Sequence, residues 1–345
     1  MKRGCPYGTH RVIEPAGSLP QAAWKIDNST EIRSNEILID VVRLNIDAAS
    51  FTQIKQESGC DPEQTAQIIL DTVQQRGKHH NPTTDSGGML IGSVAQIGDD
   101  LAGKIDLAHD DRIATLVSLT LTPLVIDQIK KIRFDVDQVE IEGKAVLFES
   151  GIYAKLPSDL PEGLALAVLD VAGALPQTAK LVCPGDTVLV IGGGGKSGLL
   201  CLYEARRRAG PSGRVIALAR SDASYNRALQ TGWADVVLQG DATEPLAVME
   251  AVKSATAGML ADLTINCVNI PGTEMATILS TKDGGMIYFF SMATSFTAAA
   301  LGAEGVGKDV TMLVGNGYTA DHAEISLHAL AESDRLRKLF TELYG

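Results

Sequence analysis

The chain has few aromatic residues, 5% of 345, and only five cysteines. Cys5, Cys60, Cys183, Cys201 and Cys267 are odd in number and widely spaced, which argues against a disulfide framework. With no C-x-x-C pair, a four-cysteine zinc site is excluded. No stretch reaches the roughly 18 apolar residues that cross a bilayer. The opening MKRGCPYGTHRVIEP also lacks the apolar core of a secretion signal. Positive charge is in deficit: 30 Lys and Arg face 42 Asp and Glu, a net charge of −12. Such a chain repels phosphate backbones and anionic lipid, so neither nucleic acid nor a membrane is an expected partner. A cytoplasmic protein is expected. Its length suits two domains of about 100–200 residues each.

The two halves differ in rhythm. Residues 36–54 begin as an alternating strand, with Ile37, Ile39 and Val41 against Leu38, Asp40 and Val42. Residues 60–76 read as a helix, with Asp61 as cap and Pro62 in the first turn. The stretch KHHNPTTDSGG is turn-rich, and MLIGSVAQIG, RIATLVSLTLTPLVI, QVEIEGKAVLF and YAKLP read as short strands of a small barrel-like β domain. From about residue 163 strands and helices alternate: TVLVIG, SGLLCLYEARRRAG, RVIALAR, SYNRALQTG and their successors. That alternation predicts a doubly wound parallel sheet. The last stretch reads as one more strand and a long helix.

The glycine-rich turn Gly192-Gly193-Gly194-Gly195-Lys196-Ser197-Gly198 joins an apolar strand to a helix. Gly193, Gly195 and Gly198 satisfy G-x-G-x-x-G, and Gly192, Gly195 and Gly198 form an equally usable set. Glycine lets the chain turn tightly and approach a pyrophosphate, and the helix N-terminus offers unpaired N–H groups. A triphosphate-binding loop would need its first glycine at Val190, inside the strand, so that motif fails. The following strand ends at Ala219, Arg220 and Ser221, where an NAD site usually places a carboxylate. Arg220 suits a 2′-phosphate and Asp222 could serve a 2′-hydroxyl, so NAD and NADP both stay open. Cys267-Val268 and Ser291-Met292 end further strands, where ligands of parallel sheets bind.

In these residues the chain resembles the medium-chain dehydrogenase/reductase superfamily. The resemblance implies a Rossmann doubly wound parallel sheet (163–309) and a GroES-like β-barrel domain (1–162 with 310–345). Gly87-Gly88-Met89-Leu90-Ile91-Gly92 lies where zinc-dependent members carry G-H-E-x-x-G. Gly88 and Met89 stand in place of the histidine and glutamate, so no catalytic metal is expected. The segments CPYGTHRVIEP, LNIDAASFTQI, SGGMLIGSV and FFSMATSFTAAALGAEG narrow the resemblance to a zinc-free branch of diaminohexanoate dehydrogenases from lysine fermentation. It implies NAD(P)-dependent oxidative deamination of a small diamino acid in a homodimer or homotetramer. A quinone or alkene reductase of the same superfamily is the alternative.

Deamination needs a base for the amine proton, a carboxylate for the second ammonium and donors for the substrate carboxylate. Asp47 and Ser50 follow the early strand, where the resemblance places an active-site turn, and Asp47 could be base, ammonium anchor or simply a local cap. Glu149 and Asp170 are further carboxylate candidates, the latter in the apolar LALAVLDVAGAL segment. Ser86, next to Asp85, borders the substituted zinc position. His79 and His80 read as polar loop residues. Lys155 and Arg43 could pair the substrate carboxylate.

Overall fold

The chain divides close to where its sequence rhythm changes. In a computed structural model, which describes residues 1–315 and 317–344, one unit comprises Met1–Leu166 with Tyr344 and the other Ala167–Leu343.

The first unit opens with a hairpin of β1 (Val12–Glu14) and β2 (Lys25–Ile26). Its main sheet holds β3 (Glu36–Ile46), β4 (Gly88–Ile97), β5 (Arg112–Thr115), β6 (Leu124–Arg133), β7 (Gln138–Phe148) and β8 (Tyr153–Lys155). Their order is β6-β7-β3-β4-β5-β8, with every neighbouring pair antiparallel. Helices α1 (Ala48–Ser58) and α2 (Pro62–Arg76) connect β3 to β4. Ile37, Ile39 and Val41 of β3 enter the main core with Leu90 of β4 and Val139 of β7. Leu38, on the opposite face, packs with Ile32, Val146 and Phe148. The alternation in the sequence thus becomes a strand covered on both faces at its start. Bulges between Leu38 and Ile39 and between Val41 and Arg43 bend it. RIATLVSLTLTPLVI is two strands, β5 and β6. Pro123, which has no N–H for a ladder, precedes the second.

One guanidinium fastens residues 27–31, in the segment before β3, to Glu36. Arg11 donates to both oxygens of Glu36 at 2.7 Å and to the carbonyls of Asp27, Ser29 and Glu31 at 3.3, 2.8 and 2.9 Å. Burial opposes the charge on Glu36. The bonds from Arg11 and from the Arg33 N–H outweigh it and hold the carboxyl below its usual range.

Helix α3 (Glu162–Leu169) runs into the second unit, which continues with α4 (Ala174–Leu181). Strands β9 (Thr187–Ile191), β10 (Arg214–Ala219) and β11 (Val236–Gln239) then alternate with α5 (Lys196–Ala209) and α6 (Asp222–Thr231). After α7 (Pro245–Ala255) come β12 (Ala261–Asn266), α8 (Glu274–Ser280), β13 (Thr281–Phe289), α9 (Phe296–Val306) and β14 (Thr311–Val314). Helices α10 (His322–Glu332) and α11 (Asp334–Tyr344) close the chain. The sheet is parallel, in the order β11-β10-β9-β12-β13-β14. The chain runs outward from β9 to β11, then returns to lay β12 on the other side of β9. A reversal of this kind opens a crevice at the carboxyl ends of β9 and β12.

Two features differ from the sequence reading. Residues 310–343 belong to the second unit rather than the first, because β14 pairs with β13 from Met286 to Phe289. The long C-terminal helix is also broken. Ser333 is extended and its hydroxyl accepts from the Leu336 N–H at 3.2 Å, so one residue ends α10 and caps α11. Among the described residues no single helix is long and apolar enough to cross a membrane. The bent pair α3 and α4 would pass by length and composition alone.

Candidate active site and nucleotide cradle

The glycine turn lies at the carboxyl end of β9. Gly192 has a φ of +85°, which side chains rarely adopt. A Cβ at Gly194 would lie 2.1 Å from the Ser224 carbonyl oxygen, and one at Gly198 would lie 2.1 Å from the Gly192 oxygen. Those glycines let strand, turn and helix pack in contact. Gly193 is less tight: its Cβ would meet the Ala217 methyl at 2.9 Å. Gly195 differs, since a Cβ there would meet only the Gly192 oxygen, at 3.4 Å. It caps α5 without a side-chain bond, and the first turn of α5 contains no acidic residue. The first N–H groups of a helix lack intrahelical acceptors. Open space above them suits an anionic group, so the residues present fit a dinucleotide.

Other strand ends adjoin the turn. Asn266 pairs with Ile191 on one side and Phe289 on the other, so Cys267, Val268, Ser291 and Met292 emerge beside the glycines. The Val268 side chain would be 3.0 Å from a Cβ on Gly192. Met292 is 85% exposed. Cys267 lies 3.7 Å from Cys201, sulfur to sulfur. That hydrogen bond and burial push its thiol well above the ordinary range, which removes it as a nucleophile. Ser197, in the first turn of α5, is buried.

At the end of β10, Ala219 is buried and Arg220 is 67% exposed, pairing with Asp241 at 3.1 Å. The hydroxyl of Ser221 caps α6, and Asp222 accepts from Gln239 at 2.7 Å. Lys196 reaches Asp170 at 2.8 Å. Asp170, proposed from sequence as a catalytic carboxylate, therefore holds the glycine turn's lysine.

In the first unit Asp47 caps α1, its Oδ1 accepting from the Ala49 N–H at 3.0 Å. Its own N–H donates to the Gly87 carbonyl at 3.2 Å. Because Ile46 pairs with Gly88, the strand ladder sets Asp47 beside Ser86 and Gly87, residues distant in sequence. The Ser86 hydroxyl lies 2.9 Å from that of Thr84. Ser50 is fully buried and among the described residues its hydroxyl has no hydrogen-bond partner, so it faces the interior beneath α1. Glu149 follows β7, whose Phe148 pairs with Glu36 at the far end of β3 from Asp47. Eleven residues of strand put roughly 30 Å between those ends. Glu149 accepts from Arg3 at 2.8 and 3.0 Å and from Asn35 at 2.8 Å, so it anchors the N-terminal segment. Lys155 is paired to Asp106 and Asp111, both at 3.1 Å. Arg43 lies 3.5 Å from Glu140.

Lys78 to Asn81 of the loop after α2 are buried, which their polar sequence did not suggest, while Pro82, Thr83 and Asp85 are exposed. Arg76 donates to the His80 carbonyl at 2.5 Å and to its Nδ1 at 3.1 Å. With Nδ1 accepting, the imidazole carries its proton on Nε2 and donates to Asp85 at 2.5 Å. Burial lowers the pKa of His80. Lys78 is fully buried and donates to the carbonyls of Pro20 and Gln21 at 2.6 and 3.1 Å. Burial, with Arg76 nearby, pushes its amine down to about 7. A neutral amine still has two N–H donors for those two carbonyls. Among the described residues no group of three metal-ligating side chains occurs.

Residues 10–157 match the family described as the L-erythro-3,5-diaminohexanoate dehydrogenase N-terminal domain. An L-erythro-3,5-diaminohexanoate dehydrogenase of Acetoanaerobium sticklandii is 60% identical over 342 residues, covering 99% of each chain. The chain belongs to this dehydrogenase family. A family relative from Fusobacterium nucleatum is also 60% identical, over 346 residues and the whole of both chains. Among solved structures, the alcohol dehydrogenase TADH from Thermus sp. ATN1 matches with a TM-score of 0.53 at 18% identity, over 91% of this chain and 86% of that one. At that identity the likeness shows the fold: a Rossmann unit with a GroES-like β domain.

Proposed function

We propose that this family member oxidatively deaminates L-erythro-3,5-diaminohexanoate at C3, with NAD or NADP as hydride acceptor. Near-complete coverage by relatives of that name at 60% identity carries the reading. The glycine turn supports the cofactor: Gly192, Gly194 and Gly198 keep strand and helix in contact, while Gly195 leaves the helix N-terminus open.

The bound nicotinamide supplies a hydride acceptor. The substrate ammonium loses a proton and its C3–H bond loses a hydride. Water adds to the resulting iminium, and the carbinolamine collapses to ketone and ammonium. The balance is ammonium substrate, oxidised cofactor and water in; ketone, ammonium, reduced cofactor and one proton out. Asp47 is the carboxylate placed to accept the proton or hold the second ammonium. Its Oδ1 is fixed by α1, and among the described residues its Oδ2 has no hydrogen bond. Ser86 and Thr84 supply hydroxyls near the same turn. Arg220, at the end of β10, favours a 2′-phosphate if Asp241 shares it. The reading includes a homodimer or homotetramer.

The test mixes the full chain with 3,5-diaminohexanoate and either NAD or NADP, following reduced cofactor and ammonia together. Equal yields of the two support the reading. Quinone or enone reduction without ammonia release would establish the reductase alternative, which the family relatives do not favour.

A further inference from the structure

Glu274, the first residue of α8, is a buried carboxylate without a cation. It is 4% exposed, and among the described residues no ion pair reaches it. Such burial is costly unless donors meet the charge. The donor here is a backbone group 21 residues away: Oε1 accepts from the Ser295 N–H at 2.7 Å. The Ser295 hydroxyl in turn accepts from the Ala298 N–H at 3.2 Å and caps α9.

The loop held in this way is short and pinned at both ends. Residues 291–294 leave β13. At the β13 end the Asn266 carbonyl accepts from the N–H groups of Phe290 and Ser291 at 3.0 and 3.3 Å. At the α9 end Glu274 takes Ser295. Between them the Ser291 hydroxyl accepts from the Ala293 N–H at 3.1 Å. Asn266 is itself fixed: its amide donates to the hydroxyls of Thr273 and Thr277, both at 2.9 Å, and its Oδ1 accepts from the Val268 N–H at 3.0 Å. One buried frame thus sets the loops that leave β12 and β13. Joining β13 to α9 does not by itself call for a buried carboxylate.

A dinucleotide over the glycine turn has a fixed sense. Its adenine ribose lies at the end of β10 and its pyrophosphate at the head of α5. The remaining half must cross β9 towards β12 and β13, the next strands in the sheet. We propose that Glu274 is a positioning residue for this nicotinamide half. By taking the Ser295 N–H it fixes residues 291–294 where the ring lies. The inference rests on the dinucleotide reading above. It makes the reach of the acceptor decisive and its charge secondary.

Two variants separate reach from charge. Glu274→Asp keeps the charge and withdraws the carboxylate by one methylene. Glu274→Gln keeps the reach and an acceptor oxygen and removes the charge. Each full chain is titrated by calorimetry with whichever of NAD and NADP the parent binds more tightly. It is also titrated with the matching ADP-ribose or 2′-phospho-ADP-ribose, which lacks nicotinamide. Glu274→Asp should weaken the dinucleotide about tenfold and leave the ADP-ribose ligand within about twofold of the parent. Glu274→Gln should bind both within about twofold. Equal loss of both ligands in Glu274→Asp would make Glu274 a structural cap and overturn the proposal. Unchanged dinucleotide affinity in that variant, or a larger loss in Glu274→Gln, would overturn it too. A parent chain that binds neither ligand would overturn the dinucleotide reading, and this proposal with it.

Discussion

The two units present their chemistry in opposite ways. In the second, the candidate nucleotide cradle is a run of adjacent residues, Gly192 to Gly198, placed by the strand before it and the helix after it. In the first, the polar groups come from three separate segments: Asp47 at the head of α1, Ser86 before β4, and the buried loop from Lys78 to Asn81. A site made of neighbours can be read from a motif. A site made by strand pairing becomes visible only when Ile46 meets Gly88.

The largest effect that would sharpen this contrast is on catalysis in the first unit. Asp47→Asn keeps an N-cap residue, so α1 should persist. Turnover should fall about a thousandfold, as for loss of a general base, with dinucleotide affinity unchanged. Turnover preserved within a few fold would reduce Asp47 to a cap.

His79 offers a second test in the same unit. Burial above all, then His80 and Arg76, pushes its pKa from 6.5 to about 4. Above pH 6.5 the ring is neutral in both folded and unfolded chains and contributes no slope. Between pH 6.5 and about 4 the unfolded chain binds a proton that the folded one refuses. Stability must therefore fall as pH falls, by about 3 kcal/mol across that window. Urea titrations over this range should show the slope in the parent chain and a flatter line for His79→Gln. Parallel lines would mean that the ring is solvated.

In the second unit, Gly198→Ala forces a methyl to within 2.1 Å of the Gly192 oxygen. Dinucleotide affinity should drop about a hundredfold, measured by quenching of intrinsic fluorescence. An unchanged Kd would show that the turn is not the cradle. The smallest effect is expected at Arg220. Arg220→Ala should raise KM for NADP about tenfold and leave KM for NAD unchanged. Equal changes with both cofactors would remove its role as a selector.

The parallel sheet is legible from apolar strands alternating with amphipathic helices, and the tight strand–turn–helix from the glycines between them. Glu149 and Asp170 show what sequence hides: a lone carboxylate does not display its partner. Arg3 and Lys196 take them up. His79 and His80 were misread in the other direction. A run of polar residues looks solvated, yet Arg76 bonds to His80, and His80 to the exposed Asp85, while Lys78 to Asn81 lie inside. The signal available was the spacing of those three residues after a predicted helix end. The place of residues 310–343 was hidden because a four-residue edge strand carries too little pattern to name its neighbour.

The Arg11 clamp bears on the lifetime of the chain. The segment before β3 contains little regular structure, and a single buried side chain ties its loop to Glu36. Replacing Arg11 would leave the buried Glu36 carboxylate with only His10 at 3.0 Å and the Arg33 N–H at 2.8 Å, and would release the carbonyls of Asp27, Ser29 and Glu31 together. The loop from Asp27 to Glu31 would then be open to proteases while Arg3 still held the N-terminus to Asp100 and Glu149. A cut in this loop would be the first sign of damage, ahead of any change in turnover.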